Sequence, residues 1–236
     1  MGRAFEFRKA RKMKRWDSMA KTFSRIGKEI AIAIRDGGPD PEANSKLMNA
    51  IKNAKDANMP LDIVNRAIKK ATDKDMSAFK ETLFEGYAPH GIAVLIETAT
   101  DNNQRTVADI RSYFNKCNGS LGTSGSVSFM FDHQCHFKIA KGEVDAEELE
   151  LELIDFGADE VFVDNENIMV YGSFENFGSL QAKLEEDGHE VLSSGFERIP
   201  HNTTALNPEQ VVDVEKLLEK LDDNDDVLNV YHNMEG

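Results

Sequence analysis

The chain contains, at residues 161–171, the stretch Val161-Phe162-Val163-Asp164-Asn165-Glu166-Asn167-Ile168-Met169-Val170-Tyr171. Two short runs of β-branched and aromatic residues flank a polar tetrapeptide, which is the pattern of a β-hairpin. The surrounding sequence predicts four further elements: a strand at 137–139, a helix at 146–156, a helix at 178–187 and a strand at 191–199. The order β-α-β-β-α-β is that of a ferredoxin-like split motif, so residues 136–204 are predicted to form one acidic domain.

A second α+β domain is predicted on both sides of this region. Its elements are strands at 82–87, 91–98 and 127–131, a helix at 104–117, and a late helix and strand at 209–221 and 227–231. The late pair is expected to complete a sheet that otherwise has only three strands and one helix. This domain therefore covers 77–135 plus 205–236, and the ferredoxin-like domain is inserted in it.

Residues 1–76 predict a small helical domain. A first helix begins after Asp17 or Ser18 and runs to Arg35, with apolar residues at helical spacing along one face. A second helix is predicted to open at Asp40-Pro41, an N-cap followed by a first-turn proline, and a third follows Met59-Pro60. The predicted fold class is α+β: a three-helix domain plus two α+β domains.

The charge of the chain is distributed unevenly. The first 35 positions hold eleven Lys and Arg residues and three acidic residues, a formal charge of +8. The whole chain carries −14, so the other residues, 17 basic and 39 acidic, carry −22. A basic segment on an acidic protein favours binding to a phosphate polymer, because fixed cations release the counterions condensed on it. The alternative is a basic arm that is solvated or docked on the acidic domains of the same chain.

The segment at 119–126, Gly119-Ser120-Leu121-Gly122-Thr123-Ser124-Gly125-Ser126, is the strongest local candidate for a functional loop. Glycines allow close approach of the backbone, and consecutive amides can form an anion-binding nest. The segment lacks the Gly-Lys-Ser/Thr ending of a nucleotide-binding loop, which excludes that class of site. The alternative is a simple connection between a helix and a strand. Basic residues of the helix at 104–117 favour the anion-binding interpretation.

The predicted nucleic-acid-binding residues combine the basic face of the first helix, the exposed side of the third helix, and this loop with its adjacent helix. They are Arg8, Lys9, Arg11, Lys12, Lys14, Arg15, Lys21, Arg25, Lys28, Arg35, Lys69, Lys70, Arg105, Lys116, Thr123 and Ser124.

Other chemistry finds little support in the sequence. His133, Cys135 and His136 stand together, but their spacing fits no metal site, and no nucleophile, base or carboxylate pair indicates catalysis. No metal, no cofactor and no enzymatic activity are therefore expected. Only two cysteines occur, which favours a reducing, cytoplasmic setting, and no apolar run approaches the length of a membrane span.

Several motifs together resemble those of the YebC/PmpR family, which includes the mitochondrial translational activator of cytochrome oxidase. They are Gly37-Gly38-Pro39-Asp40-Pro41-Glu42-Ala43-Asn44, residues 54–60 and 66–70, Glu85-Gly86-Tyr87-Ala88-Pro89-His90-Gly91, residues 100–107, Gly122-Thr123-Ser124-Gly125-Ser126-Val127 and Val230-Tyr231-His232-Asn233. The resemblance runs almost from end to end and implies three domains, with an inserted α+β domain and a C-terminus that rejoins the middle one.

The resemblance implies a regulator of gene expression, and two classes of target stay open. Family members are commonly described as DNA-binding transcriptional regulators, and others act on translation at the ribosome. The helical domain shows no obvious recognition helix for reading base edges, which favours RNA or contacts with the phosphate backbone. The acidic inserted domain is a poor candidate for touching phosphate, so it is expected to bind a protein partner or to add shape.

Overall fold

The computed structural model describes residues 19–72 and 79–235. Their contacts group them into two compact units. The first unit comprises residues 29–72 and 133–198, and the second comprises residues 19–28, 79–132 and 199–235. The predicted domain boundaries stay predictions.

Three helices open the described chain: α1 (Met19–Gly37), α2 (Ser45–Asp56) and α3 (Leu61–Thr72). The start of α2 differs from the prediction, because its N-cap is Asn44 and not Asp40. The side chain of Asn44 accepts a hydrogen bond from the Leu47 amide and donates to the carbonyls of Ala33 and Gly38. One buried side chain thus caps α2 and holds the end of α1, whereas the Asp40 carboxylate accepts from the Glu42 amide and lies outside the helix.

The first unit contains the predicted ferredoxin-like motif. Its elements are β4 (Phe131–Ala140), α5 (Ala146–Leu153), β5 (Ala158–Asp164), β6 (Asn167–Ser173), α6 (Phe177–Glu186) and β7 (Val191–Pro200), and the strand order is β5-β6-β4-β7. The hairpin lies where the sequence placed it, with Val163 opposite Ile168 and Asp164 opposite Asn167. Leucines of both helices pack on alternate residues of the strands, which builds the core.

Helix α2 contacts this motif through polar side chains, and no pattern in the sequence predicts their pairing. The amide group of Asn53 donates to the Ser194 carbonyl (2.8 Å) and accepts from the Ser194 amide (2.9 Å). Asp56, one helical turn further on, pairs with Lys138 of β4. Asn53 thereby satisfies both backbone groups of Ser194, as a neighbouring strand would.

The second unit is built on the sheet β3-β1-β2-β8. Its elements are β1 (Lys80–Tyr87), β2 (Ala93–Thr100), α4 (Asn103–Lys116), β3 (Ser120–Leu121), α7 (Pro208–Asp222) and β8 (Val227–His232). The C-terminal strand β8 pairs antiparallel with β2, which confirms that the C-terminus completes this sheet. Helices α4 and α7 cover the sheet through a shared apolar core.

One predicted strand of the second unit is absent from the described chain. Residues 128–130 form a short 3-10 turn, and the strand begins only at Phe131. The physical reason is that the amides of Val127 and Ser128 donate to the side chain of Glu85 and not to a neighbouring strand. Among the described helices, none is both long enough and apolar enough to cross a membrane.

Candidate nucleic-acid interface

Helix α4 has one face in the core of the second unit and one face in solvent. Thr106, Ile110 and Phe114 are fully buried at successive four-residue steps. The outer side carries an open, shallow groove with two cations and three small or polar neighbours: Ala108, Arg111, Ser112, Asn115 and Lys116. Arg111 and Lys116 are exposed and form no ion pair with any residue that the structure describes. The two cations are therefore available to an external anion.

The loop that follows α4 is organised by a buried carboxylate. Glu85 of β1 is only 3% exposed. It accepts hydrogen bonds from the backbone amides of Gly125 (2.7 Å), Val127 (2.8 Å) and Ser128 (2.8 Å). The loop therefore contains anion-binding amides, as its sequence predicts. At these three positions, however, the bound anion is the Glu85 carboxylate of the same chain.

The pKa of Glu85 reflects two opposing effects. Burial raises it, and the hydrogen bonds from the amides of Val127, Gly125 and Ser128 lower it. The net result is a pKa below the ordinary value of a glutamate. Glu85 is thus ionised at neutral pH, and it holds the loop as a charged acceptor.

The tip of the loop is left exposed by this arrangement. Gly122, Thr123, Ser124 and Gly125 are all exposed, and Gly125 has a φ of 85°. The Ser126 amide donates to the Thr123 carbonyl (3.1 Å), which closes a tight turn. The hydroxyl groups of Thr123 and Ser124 are therefore presented on a fixed turn. Their contact with nucleic acid stays a prediction.

Arg105, predicted to act together with Lys116, lies elsewhere. The two residues are eleven positions apart on α4, which is about 17 Å along the helix axis. Arg105 donates to Asp226 (2.8 Å) and to Asp101 (3.0 Å). The hydrogen bond that Arg105 donates to Asp226 is the main reason why the pKa of Arg105 is raised. The structure thus assigns Lys116 to the loop end of α4 and Arg105 to a separate ion-pair cluster.

Lys28 belongs to that cluster and has little exposed surface. Its amine lies 3.7 Å from Asp226, and the two side chains are 11% and 10% exposed. The same amine donates to the carbonyls of Ala99 and Asp225. Burial lowers the pKa of Lys28, although nearby Asp226 and Asp225 oppose the shift. Lys28 therefore holds the first part of α1, residues 19–28, in place within the second unit. Helical periodicity had predicted a solvent-facing position for this side chain.

The other predicted cations of α1 also have acidic partners. Lys21 pairs with Asp223, and Arg25 pairs with Asp222 at 3.1 Å. All of these acids belong to residues 222–226, an acidic turn that begins at the last residue of α7 and leads to β8. This is the arrangement described above as the alternative, in which basic residues dock on an acidic part of the same chain.

In the first unit the predicted cations divide into two groups. Arg35 pairs with Asp36 (2.7 Å), whose pKa is lowered mainly by the hydrogen bond from Arg35. Lys69 and Lys70 of α3 are exposed and make no ion pair with another described residue. The remaining predicted contacts lie outside the described residues: Arg8, Lys9, Arg11, Lys12, Lys14 and Arg15.

His133, Cys135 and His136 are placed among aromatic and apolar neighbours. The His133 ring stacks on Phe174 with centroids 4.1 Å apart, and burial, aided by Arg198, lowers its pKa to about 4. Burial raises the pKa of the Cys135 thiol to about 11. Within the described ranges no group of three or more His, Cys, Asp or Glu side chains is arranged to hold a metal ion.

Comparison with known proteins finds relatives that match over nearly the full length. A protein of Flavobacterium johnsoniae is 67% identical over 234 residues, 99% of each chain, and one of Parabacteroides distasonis is 57% identical over 235 residues, 99% of this chain and 97% of the relative. Each of these two relatives bears the name probable transcriptional regulatory protein. A crystal structure of a conserved hypothetical protein from Aquifex aeolicus, 38% identical, covers 91% of this chain and 89% of its own, with a TM-score of 0.75.

Two family descriptions match the sequence. The TACO1/YebC protein N-terminal domain matches residues 3–74, and the TACO1/YebC second and third domain matches residues 79–234. The resemblance drawn from the motifs is thereby confirmed, and the chain belongs to the TACO1/YebC family.

Proposed function

We propose that this protein is a regulator of gene expression that binds nucleic acid, and that its target is DNA in the control of transcription. The regulatory role is supported by the name probable transcriptional regulatory protein, which relatives up to 67% identical over 99% of this chain carry. That name states no ligand. The case for nucleic acid therefore depends on the surface chemistry of this chain.

The observation that carries the proposal is the outer face of α4. Arg111 and Lys116 are exposed without an acidic partner among the described residues, on a chain whose net charge is −14. Ala108 and Ser112, which line the same groove, are small, so a phosphate group is able to approach the helix surface. Each cation that neutralises a phosphate releases condensed counterions, which makes such a face an electrostatic site for a nucleic-acid backbone.

The loop after α4 extends this face. Thr123 and Ser124 offer hydroxyl groups that hydrogen-bond phosphate or sugar oxygens, which is how many side chains position a protein on a duplex. Glu85 fixes the turn that presents them. Lys69 and Lys70 form a second exposed cationic pair in the first unit. The proposed contacts are therefore with the backbone of the nucleic acid, and no residue is assigned to reading bases.

The proposal is tested by measuring affinity for three probes over matched salt series: a duplex DNA, a structured RNA and intact ribosomes. The proposal expects the duplex to bind with an affinity that falls linearly in a log–log plot against salt. Preference for RNA or ribosomes at every salt concentration would move the function to translation. Absence of salt-dependent binding to all three probes would refute nucleic-acid binding.

A further inference from the structure

The turn between α7 and β8 lies against the N-terminal half of α1 in the second unit. Three ion pairs join them in order: Lys21 with Asp223, Arg25 with Asp222, and Lys28 with Asp226. The side chains become more buried along this series. The carboxylates of Asp223, Asp222 and Asp226 are 71%, 53% and 10% exposed.

The inner pair and the outer pairs have different physical roles. The Lys28–Asp226 pair is enclosed, and Asp226 is also held by Arg105 and by the Thr106 hydroxyl (2.8 Å). The two outer carboxylates are mostly in solvent, where an ion pair contributes about 0–1 kcal/mol and is screened by salt. The inner pair thus fixes the position of α1, while the outer pairs are able to open with little loss of stability.

The position of the turn is electrostatically unfavourable for so many acids. Asp222 is the last residue of α7, and Asp223, Asp225 and Asp226 lie within the next four positions. The C-terminal end of a helix carries a partial negative charge, which disfavours nearby carboxylates by about 0.3–1 kcal/mol each. Buried Asp226 has a structural reason in its bonds to Arg105 and Thr106. Among the described residues, Asp222 and Asp223 form ion pairs only with Arg25 and Lys21.

We propose that Asp222 and Asp223 occupy the phosphate-binding positions of Lys21 and Arg25, so that the acidic turn competes with nucleic acid for α1. A carboxylate and a phosphodiester present the same kind of anionic oxygen acceptor to Lys and Arg. A nucleic acid therefore gains these two contacts only by displacing the turn, which lowers its affinity. This inference rests on the proposed nucleic-acid binding. It adds that Lys21 and Arg25 of the first helix contact nucleic acid only after the acidic turn has moved away from them.

The test is a double-mutant cycle in the full-length protein with a fluorescent duplex DNA as the probe. The Asp222→Asn/Asp223→Asn variant removes the competing charges. The Glu209→Gln/Glu219→Gln variant removes the same charge from exposed positions of α7 that pair with no described residue. The first variant is expected to bind about tenfold more tightly than the second, with a salt slope steeper than the parent's by up to about 1.8, since each phosphate contact adds about 0.9.

The second arm of the cycle repeats the comparison in a Lys21→Gln/Arg25→Gln background. The gain from Asp222→Asn/Asp223→Asn is expected to vanish there, because the cations that it releases are absent. An equal gain in both backgrounds, or a gain no larger than that of the Glu209/Glu219 control, would overturn the competition. If the parent and every variant fail to bind the duplex, the proposed function itself fails. Melting temperatures of all variants establish that each is folded.

Discussion

The carboxylate of Glu85 accepts a hydrogen bond of 2.7 Å from the backbone amide of Gly125, forty residues away in sequence. The same carboxylate holds two further amides of the chain, so one ionised side chain sets the conformation of the loop after α4. The sequence of this loop suggests a site open to an external anion, but the Glu85 carboxylate already binds three of its amides. The proposed binding is therefore assigned to the exposed tip and to the adjacent helix.

Replacing Glu85 by Gln should destabilise the protein by about 2 kcal/mol, because a neutral amide replaces a buried, charged acceptor for three backbone N–H groups. The pKa of Glu85 is lowered in the folded state, from an ordinary 4.5. Its stabilising effect is therefore present above about pH 4.5 and lost as the pH falls through the lower folded-state pKa. Denaturant unfolding of parent and variant at pH 7 and in acid measures both effects. A difference in unfolding free energy that stays constant with pH would contradict the ionised state of Glu85.

The Lys28–Asp226 pair should respond asymmetrically to mutation. Asp226→Asn leaves the buried amine of Lys28 without its carboxylate and weakens the bond to Arg105, so we expect a loss of about 3 kcal/mol. Lys28→Met leaves Asp226 satisfied by Arg105 and Thr106, and it should cost about 1 kcal/mol or less. Chemical denaturation of the two single variants tests this order. A larger loss for Lys28→Met would show that the lysine, and not the aspartate, centres the cluster.

The tip of the loop is expected to bind and not only to connect. Thr123→Ala/Ser124→Ala removes two exposed hydroxyl groups without demanding new backbone space, and it should weaken nucleic-acid binding severalfold at unchanged melting temperature. Gly125→Ala is a control for loop conformation. An added Cβ meets no atom within 4 Å there, yet its φ of 85° strains any other residue. Unchanged affinity in the double variant would show that the loop only connects α4 to the next element and does not bind nucleic acid.

The ferredoxin-like motif of the first unit should stay away from the nucleic acid. Residues 133–198 contain 4 basic and 17 acidic residues, and such a charge repels phosphate within a Debye length of about 8 Å. Photo-crosslinking of bound nucleic acid, followed by identification of the attached peptides, is expected to find none dominant between Glu143 and Leu192. Dominant crosslinks in that range would show that the acidic motif contacts the nucleic acid, which contradicts this prediction.

The fold class follows from the sequence because local patterns determine most of its elements. The hairpin at 161–171, the caps and the apolar spacing each act over a few residues, and the predicted α+β architecture is confirmed. The failures have long-range causes. Asn44 replaces Asp40 as the N-cap because it also reaches Ala33, and residues 128–130 turn because Glu85 holds the amides of Val127 and Ser128.

The site could be predicted only in part for the same reason. Exposure of Arg111 and Lys116 follows from the buried face of α4, which helical spacing reveals. The partners of Lys21 and Lys28 lie about 200 positions along the chain, and nothing in a single sequence couples them. Four aspartates within residues 222–226, at the end of a helix, are the one signal that indicates such a pairing on a chain with a basic first helix.

The central claim is that Arg111 and Lys116 contact nucleic acid, and the salt dependence of binding tests it most directly. Duplex affinity is measured for the parent, for Arg111→Gln/Lys116→Gln and for Lys216→Gln/Lys220→Gln, which removes the same charge from exposed positions of α7 in the same unit. The account predicts that the first variant loses about 1.8 from the slope of log affinity against log salt, and that the control keeps the parental slope. Parental slopes in both variants, with melting temperatures unchanged, would contradict it.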